Sequence, residues 1–259
     1  MAVRRARSAR ADARRGLDQH FLRSTGLAAE LVRGAAVGRD DFVLELGAGK
    51  GRLTAELARA AGRVLAVELD PRLAGELRRS LGRKSNVTVL EGDGLDLALP
   101  VEPFRVLANL PFGRTTAFLR RFLDDPLVPL ERADLIVEWG VALKRSAVWP
   151  STLLGASWGA WWTFRIDRRL AAACFEPAPS VDAAVLVIAR RDPPLVSAAE
   201  AGAYHDFVAR GFNRGLKSVA SPRHVRRIAR RSAPRDLDAH QWAALFRESR
   251  APRNIRRNR

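Results

Sequence analysis

Between Phe42 and Ala189 the chain alternates between two hydrophobic rhythms. Short, nearly continuous apolar runs at Phe42–Leu46, Val64–Glu68, Val87–Leu90, Arg105–Ala108 and Asp134–Glu138 have the length and β-rich composition of strands. The longer stretches between them carry apolar residues at helical spacing, as Leu53, Leu57 and Ala61 do in a helix expected to begin near Gly51. Strand and helix in regular succession predict an α/β fold, a Rossmann-like parallel sheet with helices on both faces. A last apolar run at Ala183–Ala189 closes this region.

Asp192-Pro193-Pro194 breaks the rhythm, and the chain beyond it is Arg-rich and helical, with helices expected at Tyr204–Phe212, Val219–Ile228 and Asp238–Phe246. The chain thus divides into a basic disordered arm at 1–15, a core domain at 16–191, a small helical domain at 192–250 and a basic tail at 251–259. The arm shares its Arg and Ala richness with organellar transit peptides but lacks their Ser density and amphipathic period. No internal repeat is evident.

Charge narrows the choice of partner. The 45 Lys and Arg against 28 Asp and Glu leave a net charge of +17, which favours a phosphate-rich partner or an anionic membrane surface. The membrane reading weakens because even Val101–Leu123 is interrupted by Arg105, Asn109, Arg114, Arg120 and Arg121. The one cysteine, Cys174, excludes an intrachain disulfide and a cysteine-rich zinc site, and fits a reducing cytoplasm. His205, His224 and His240 are scattered, and no metal site is expected.

Candidate chemistry lies at the strand ends. Leu44-Glu45-Leu46-Gly47-Ala48-Gly49-Lys50-Gly51 follows a strand and opens a helix, so backbone N–H groups and a helix N-terminus face any ligand there. Arg52 stands where a dinucleotide fingerprint needs Gly or Ala, and Lys50 precedes Gly rather than the Ser or Thr of a P-loop. By itself such a loop is as readily a tight turn. Glu68 ends the next strand, where a carboxylate can accept both hydroxyls of a ribose, and Asp93 comes after the third, where it can accept from an adenine amine. Each carboxylate alone reads as a loop acid or helix cap; three such features at three successive strand ends point to a nucleoside-bearing ligand.

After the fourth strand comes Asn109-Leu110-Pro111-Phe112. An aromatic amine is a poor nucleophile because its lone pair is delocalised into the ring. The Asn109 side-chain carbonyl and the Leu110 backbone carbonyl can bind its two hydrogens and aim the nitrogen at an electrophile. Pro111 fixes the turn, and Phe112 offers a face on which a flipped-out adenine stacks. In isolation the tetrapeptide is a proline-closed turn with a buried Phe.

Taken together these residues resemble the ribosomal RNA adenine dimethyltransferase family, which comprises the macrolide-resistance 23S rRNA methyltransferases and the housekeeping small-subunit enzymes. The resemblance spans Gly16 to Arg190. It rests on Gln19-His20-Phe21-Leu22, the Glu45–Gly51 loop, Glu68, Asp93, the Asn109–Phe112 tetrapeptide and Phe175-Glu176-Pro177-Ala178-Pro179-Ser180-Val181-Asp182. Val137-Glu138-Trp139-Gly140, Leu143-Lys144-Arg145 and Trp149-Pro150 are similar to the resistance branch, where the housekeeping branch carries a Gln-Lys-Glu type sequence.

The resemblance implies a class I methyltransferase fold, with S-adenosylmethionine as the methyl donor, a catalytic core and an RNA-binding helical domain. It places Gln19, His20, Leu22, Gly47, Gly49, Glu68, Leu69, Asp93, Gly94 and Asn109 around the donor, and Asn109, Leu110, Pro111, Phe112 and Phe175 at the target base. The implied product is an N6-methylated adenine in the peptidyl-transferase region of 23S rRNA, made by a cytoplasmic monomer and obstructing macrolide, lincosamide and streptogramin B drugs. Two positions depart from the family: His20 stands where Asn is usual, and Phe112 where many members have Tyr.

Trp139, Trp149, Trp158, Trp161 and Trp162 cluster late in the core; most are expected to be packing, with Trp149 the exception. Two alternatives remain open here. One is the small-subunit 16S rRNA dimethyltransferase. The other is a non-catalytic nucleic-acid binder that keeps the fold, as some mitochondrial transcription factors do, which the Arg-rich start would suit.

Overall fold

The computed structural model describes residues 19–81, 83–148, 152–228 and 233–250. The expected basic arm and tail, together with Trp149 and Pro150, lie outside these ranges. The strands in chain order are β1 (Phe21–Leu22), β2 (Phe42–Leu46), β3 (Arg63–Glu68), β4 (Val87–Glu91), β5 (Phe104–Asn109), β6 (Leu130–Glu138), β7 (Trp162–Leu170), β8 (Phe175–Glu176) and β9 (Ala183–Arg190). Interleaved with them are helices α1 (Thr25–Gly34), α2 (Arg52–Ala60), α3 (Pro71–Leu81), α4 (Thr115–Leu123), α5 (Trp139–Ser146) and α6 (Leu153–Trp158). Three more come after the last strand: α7 (Ala201–Arg214), α8 (Pro222–Ile228) and α9 (Ala239–Arg250).

Seven of the strands form one sheet in the order β4-β3-β2-β5-β6-β9-β7. From β4 to β6 every neighbouring pair is parallel. Right-handed crossovers then place α2 and α3 on one face and α4 on the other, because the strand order reverses between β2 and β5. A crevice opens above the carboxyl ends of strands at such a reversal. The apolar runs explain the interior position: Val43, Leu44, Leu46, Val106, Leu107, Ala108, Leu135, Ile136 and Val137 are all buried. Each such Val, Leu or Ile contributes about 1.5–3 kcal/mol by leaving water.

The expected all-parallel sheet is corrected at one side. β9 runs antiparallel to β6, from Arg132 opposite Ala189 to Glu138 opposite Ala183. The chain reaches β9 from β7 through residues 171–182 without a helical crossover, and a parallel strand needs such a crossover.

The described residues fall into two compact units. The first takes those up to Asp124, then Val128–Leu143 and Phe164–Ala189, and so holds nearly all of the sheet. The second takes Asp125–Leu127, Lys144–Thr163 and the residues from Arg190 onward. It therefore begins earlier in the chain than the Pro-rich break suggests. Its core is aromatic: Trp161 meets Tyr204 edge-on at 5.4 Å, and Phe246 packs edge-on against both Tyr204 (5.3 Å) and Phe207 (5.4 Å). Trp158, Trp161 and Trp162 are fully buried, as packing residues should be. No helix of the described residues is long and apolar enough to cross a membrane.

Candidate active site

The glycine loop leaves β2 at Leu46 with Gly47, Gly49 and Gly51 at φ of 70°, 56° and 75°. At two of these positions glycine is required by space as well as by backbone. A Cβ on Gly49 would lie 2.7 Å from the Phe21 ring, and one on Gly51 2.5 Å from a Leu77 methyl. The loop is tied to the end of β3, because the Gly49 N–H donates to Glu68 Oε2 (2.7 Å) and the Asp70 N–H to Glu68 Oε1 (2.8 Å). Glu68 is only 2% exposed. Burial pushes its pKa up, and the N–H groups of Asp70 and Gly49 resist that shift.

Asp93 stands beyond β4. Its Oδ1 accepts the Leu95 N–H (2.9 Å) and its Oδ2 accepts Arg114 Nη2 (2.9 Å). Partial burial pushes the carboxyl up, but the Leu95 N–H and the Arg114 guanidinium outweigh it and the pKa falls below the usual range.

Asn109 ends β5, next to β2, and a Cβ on Gly47 would lie 3.5 Å from its backbone oxygen. The Asn109 Nδ2 donates to the His20 carbonyl at 2.6 Å. That bond fixes which way the amide points. Its other end, Oδ1, is buried with no hydrogen-bond partner. A buried acceptor left open costs about 1–3 kcal/mol, so its retention calls for a ligand. Pro111 then turns the chain into the 3₁₀ turn Phe112–Arg114.

The N-terminal wall is built by a two-stranded ladder, β1 antiparallel to β8, with Phe21 opposite Glu176 and Leu22 opposite Phe175. The His20 Nδ1–H donates to the Pro177 carbonyl (2.9 Å), and the His20 ring lies 5.5 Å from that of Phe112 at a 44° tilt. Phe112 is half-buried and meets Phe175 edge-on at 6.5 Å. Phe175 is 0% exposed, so it presents Phe112 and offers no face of its own.

These elements enclose a cavity of about 450 Å³, within the range of small-molecule sites. Of the residues expected from sequence, Gln19, His20, Gly47, Glu68, Leu69, Asp93, Gly94, Asn109, Leu110 and Pro111 line it. Gly49, Phe112 and Phe175 do not, and Leu22 lines an adjoining small pocket with Glu45 and Asn109. Sequence reasoning missed Phe21, Arg114 and Phe118 in the wall. For Arg114 a signal existed, since it lies two residues past the tetrapeptide on the same turn. Among the described residues no group of three or more His, Cys, Asp or Glu is placed to hold a metal ion.

Glu45, in β2, is 0% exposed, and both of its carboxyl oxygens lack a hydrogen-bond partner. Burial pushes its pKa up to about 8, Thr54 beside it opposes the shift, and the charge of Glu68 adds to it. The folded-state value lies above the unfolded one, so the stability gained from the neutral acid is full below about pH 4.5 and is lost as pH rises towards about 8. Glu45→Gln removes that loss. The melting temperature of the variant minus that of the parent should therefore grow between pH 5 and pH 9, by at least about 5 °C. A difference that stays flat with pH would show that Glu45 is ionised in the fold.

The arrangement is a nucleoside-sized cavity lined by two carboxylates, Glu68 and Asp93, and by the oriented amide of Asn109, whose acceptor has no protein partner. A family model described as ribosomal RNA adenine dimethylase matches residues 10–227 of this chain. The chain belongs to that family. It is an rRNA adenine methyltransferase, and its methyl donor is S-adenosylmethionine. It is 35% identical over 247 residues to the mycinamicin-resistance protein MyrB of Micromonospora griseorubida, which covers 90% of this chain and 78% of that protein. An rRNA adenine N-6-methyltransferase of Bacillus licheniformis is 30% identical over 241 residues, covering 88% of this chain and 84% of the relative. Among solved structures, the 23S rRNA methyltransferase ErmE superposes with a TM-score of 0.76 at 28% identity, over 88% of this chain and 98% of that one. A dimethyladenosine transferase from Plasmodium falciparum shares the fold, with a TM-score of 0.69 at 17% identity, over 88% and 97% of the two chains.

Proposed function

We propose that the chain methylates the N6 amine of an adenine in 23S rRNA and so confers macrolide, lincosamide and streptogramin B resistance. The observation that carries this reading is the buried Asn109 Oδ1, left without a protein partner while Nδ2 is committed to the His20 carbonyl, in a residue that lines the cavity. Resemblance to a mycinamicin-resistance protein and to a 23S rRNA methyltransferase supports the target and the resistance role.

When bound, S-adenosylmethionine supplies a methyl group on a positively charged sulfur. Glu68 holds the ribose hydroxyls, Asp93 accepts the donor's adenine amine, and Gln19, His20, Leu22, Leu69 and Gly94 shape the space around them. Gly47 lets the methionine portion lie against the backbone, and Gly49 keeps Glu68 in place. Asn109 Oδ1 and the Leu110 carbonyl take the two hydrogens of the target amine and direct its nitrogen along the line of attack. Pro111 fixes that turn. Phe112, backed by Phe175, stacks on the flipped base, a contact of about 1–3 kcal/mol. A strong general base is unnecessary, because alkylated nitrogen sheds its proton readily. The helical unit, with the basic arm and tail, binds rRNA phosphates, and the enzyme acts as a monomer in the cytoplasm.

The test is to incubate the protein with tritiated donor and protein-free 23S rRNA and, separately, with assembling small subunits. Label at one adenine of the 23S rRNA is expected. Label only in small subunits would overturn the 23S reading in favour of a small-subunit dimethyltransferase, and RNA binding without label would remove the enzymatic one.

A further inference from the structure

We infer that Arg114 is a positioning residue for the donor's adenine: by anchoring the Asp93 carboxylate, it fixes the acceptor that reads the adenine amine. The inference rests on the role proposed for Asp93. Three observations carry it. Arg114 Nη2 lies 2.9 Å from Asp93 Oδ2, and both residues line the one cavity. The other oxygen, Oδ1, is taken by the Leu95 N–H, so the carboxylate is held at both ends and each oxygen keeps a lone pair in a fixed direction. The Arg114 guanidinium also rests 5.9 Å from the Phe118 ring, another residue of the cavity wall, which limits where its arm can swing.

Stability does not account for this pair. The two side chains are 41% and 25% exposed, and ion pairs so open to water add little to folding. Its consequence is local and electrostatic. Without Arg114 the carboxylate keeps only the Leu95 bond, rotates more freely and protonates more easily. An ionised carboxylate accepts the amine hydrogen more strongly than the neutral acid, which turns one of its oxygens into an O–H donor. Arg114 stands on the turn that also carries Phe112, so the donor's adenine site and the target-base site share one short segment.

The test is calorimetric titration of the intact protein with S-adenosylhomocysteine and with its inosine analogue, which lacks the amine. Arg114→Ala should weaken S-adenosylhomocysteine binding about five- to tenfold at neutral pH, the loss of one charge-assisted anchor. The deficit should widen as pH falls towards the carboxylate range, since Arg114 helps hold the Asp93 pKa down. Arg114→Lys, which can replace a single charged contact, should restore most of the affinity. The inosine analogue should bind parent and Arg114→Ala alike. Equal losses for both ligands, or parent-like affinity of Arg114→Ala at every pH, would overturn the inference. Asp93→Ala separates the two levels: if it too binds S-adenosylhomocysteine normally, the assignment of Asp93 itself fails, whereas a loss confined to Asp93→Ala overturns only the role of Arg114.

Discussion

Glu68→Ala is expected to weaken S-adenosylhomocysteine binding by roughly two to three orders of magnitude, because this carboxylate has two tasks at once. In the proposed reading it holds the ribose, and it also accepts the N–H groups of Gly49 and Asp70, at 2.7 and 2.8 Å. Truncation therefore removes the sugar's acceptors and strands two backbone donors, each costing about 1–3 kcal/mol where water cannot replace the bond. The glycine loop, whose left-handed turns are held against β3 by Glu68, then loses its register over the donor. Glu68→Gln retains the size and one carbonyl oxygen, so it should fall between, about tenfold below the parent. Calorimetric titration of both variants decides the matter. Affinity of Glu68→Ala within about threefold of the parent would mean that the ribose is held elsewhere.

How far these features can be read from sequence depends on whether their causes are local. β2, β3, β5 and β6 announce themselves as apolar runs because both faces of an interior parallel strand are buried, and β4, at the sheet edge, is legible from its β-rich composition alone. Their ends carry Gly47, Glu68, Asp93 and Asn109, and strand order alone brings those four together. β7 escapes the sequence reading although Trp162-Thr163-Phe164-Arg165-Ile166-Asp167-Arg168-Arg169-Leu170 alternates, since its charged residues mask the apolar face of a half-buried edge strand. β1 and β8 could not have been foreseen: each is two residues long and exists only because it pairs with the other, some 150 positions away. Separation along the chain also hides the orientation of Asn109, which is set by a carbonyl 89 residues earlier. Phe175 shows the reverse case, in which a motif residue is recognisable in sequence but its burial behind Phe112 is not. Glu45 is legible as part of the glycine loop; its proximity to Glu68 comes from the β2–β3 register, which sets Glu45 opposite Ala66 and Leu46 opposite Val67.

The central claim is that the amide of Asn109, oriented by the His20 carbonyl, grips the target amine in the cavity that also receives the donor. Asn109→Ala deletes one of the two acceptors that aim the nitrogen, and a group acting in the transition state is worth on the order of 10²–10³ in rate, or about 3–4 kcal/mol. Asn109→Asp should do no better despite its similar shape, because one of its oxygens would confront the His20 carbonyl, which now receives a hydrogen at 2.6 Å. Single-turnover methyl transfer to 23S rRNA, measured beside the donor dissociation constant for parent and both variants, is the decisive measurement. The account predicts transfer lowered at least about a hundredfold in each variant, with donor affinity changed less than about tenfold. Transfer by Asn109→Ala within a few fold of the parent, at unchanged donor affinity, would contradict it.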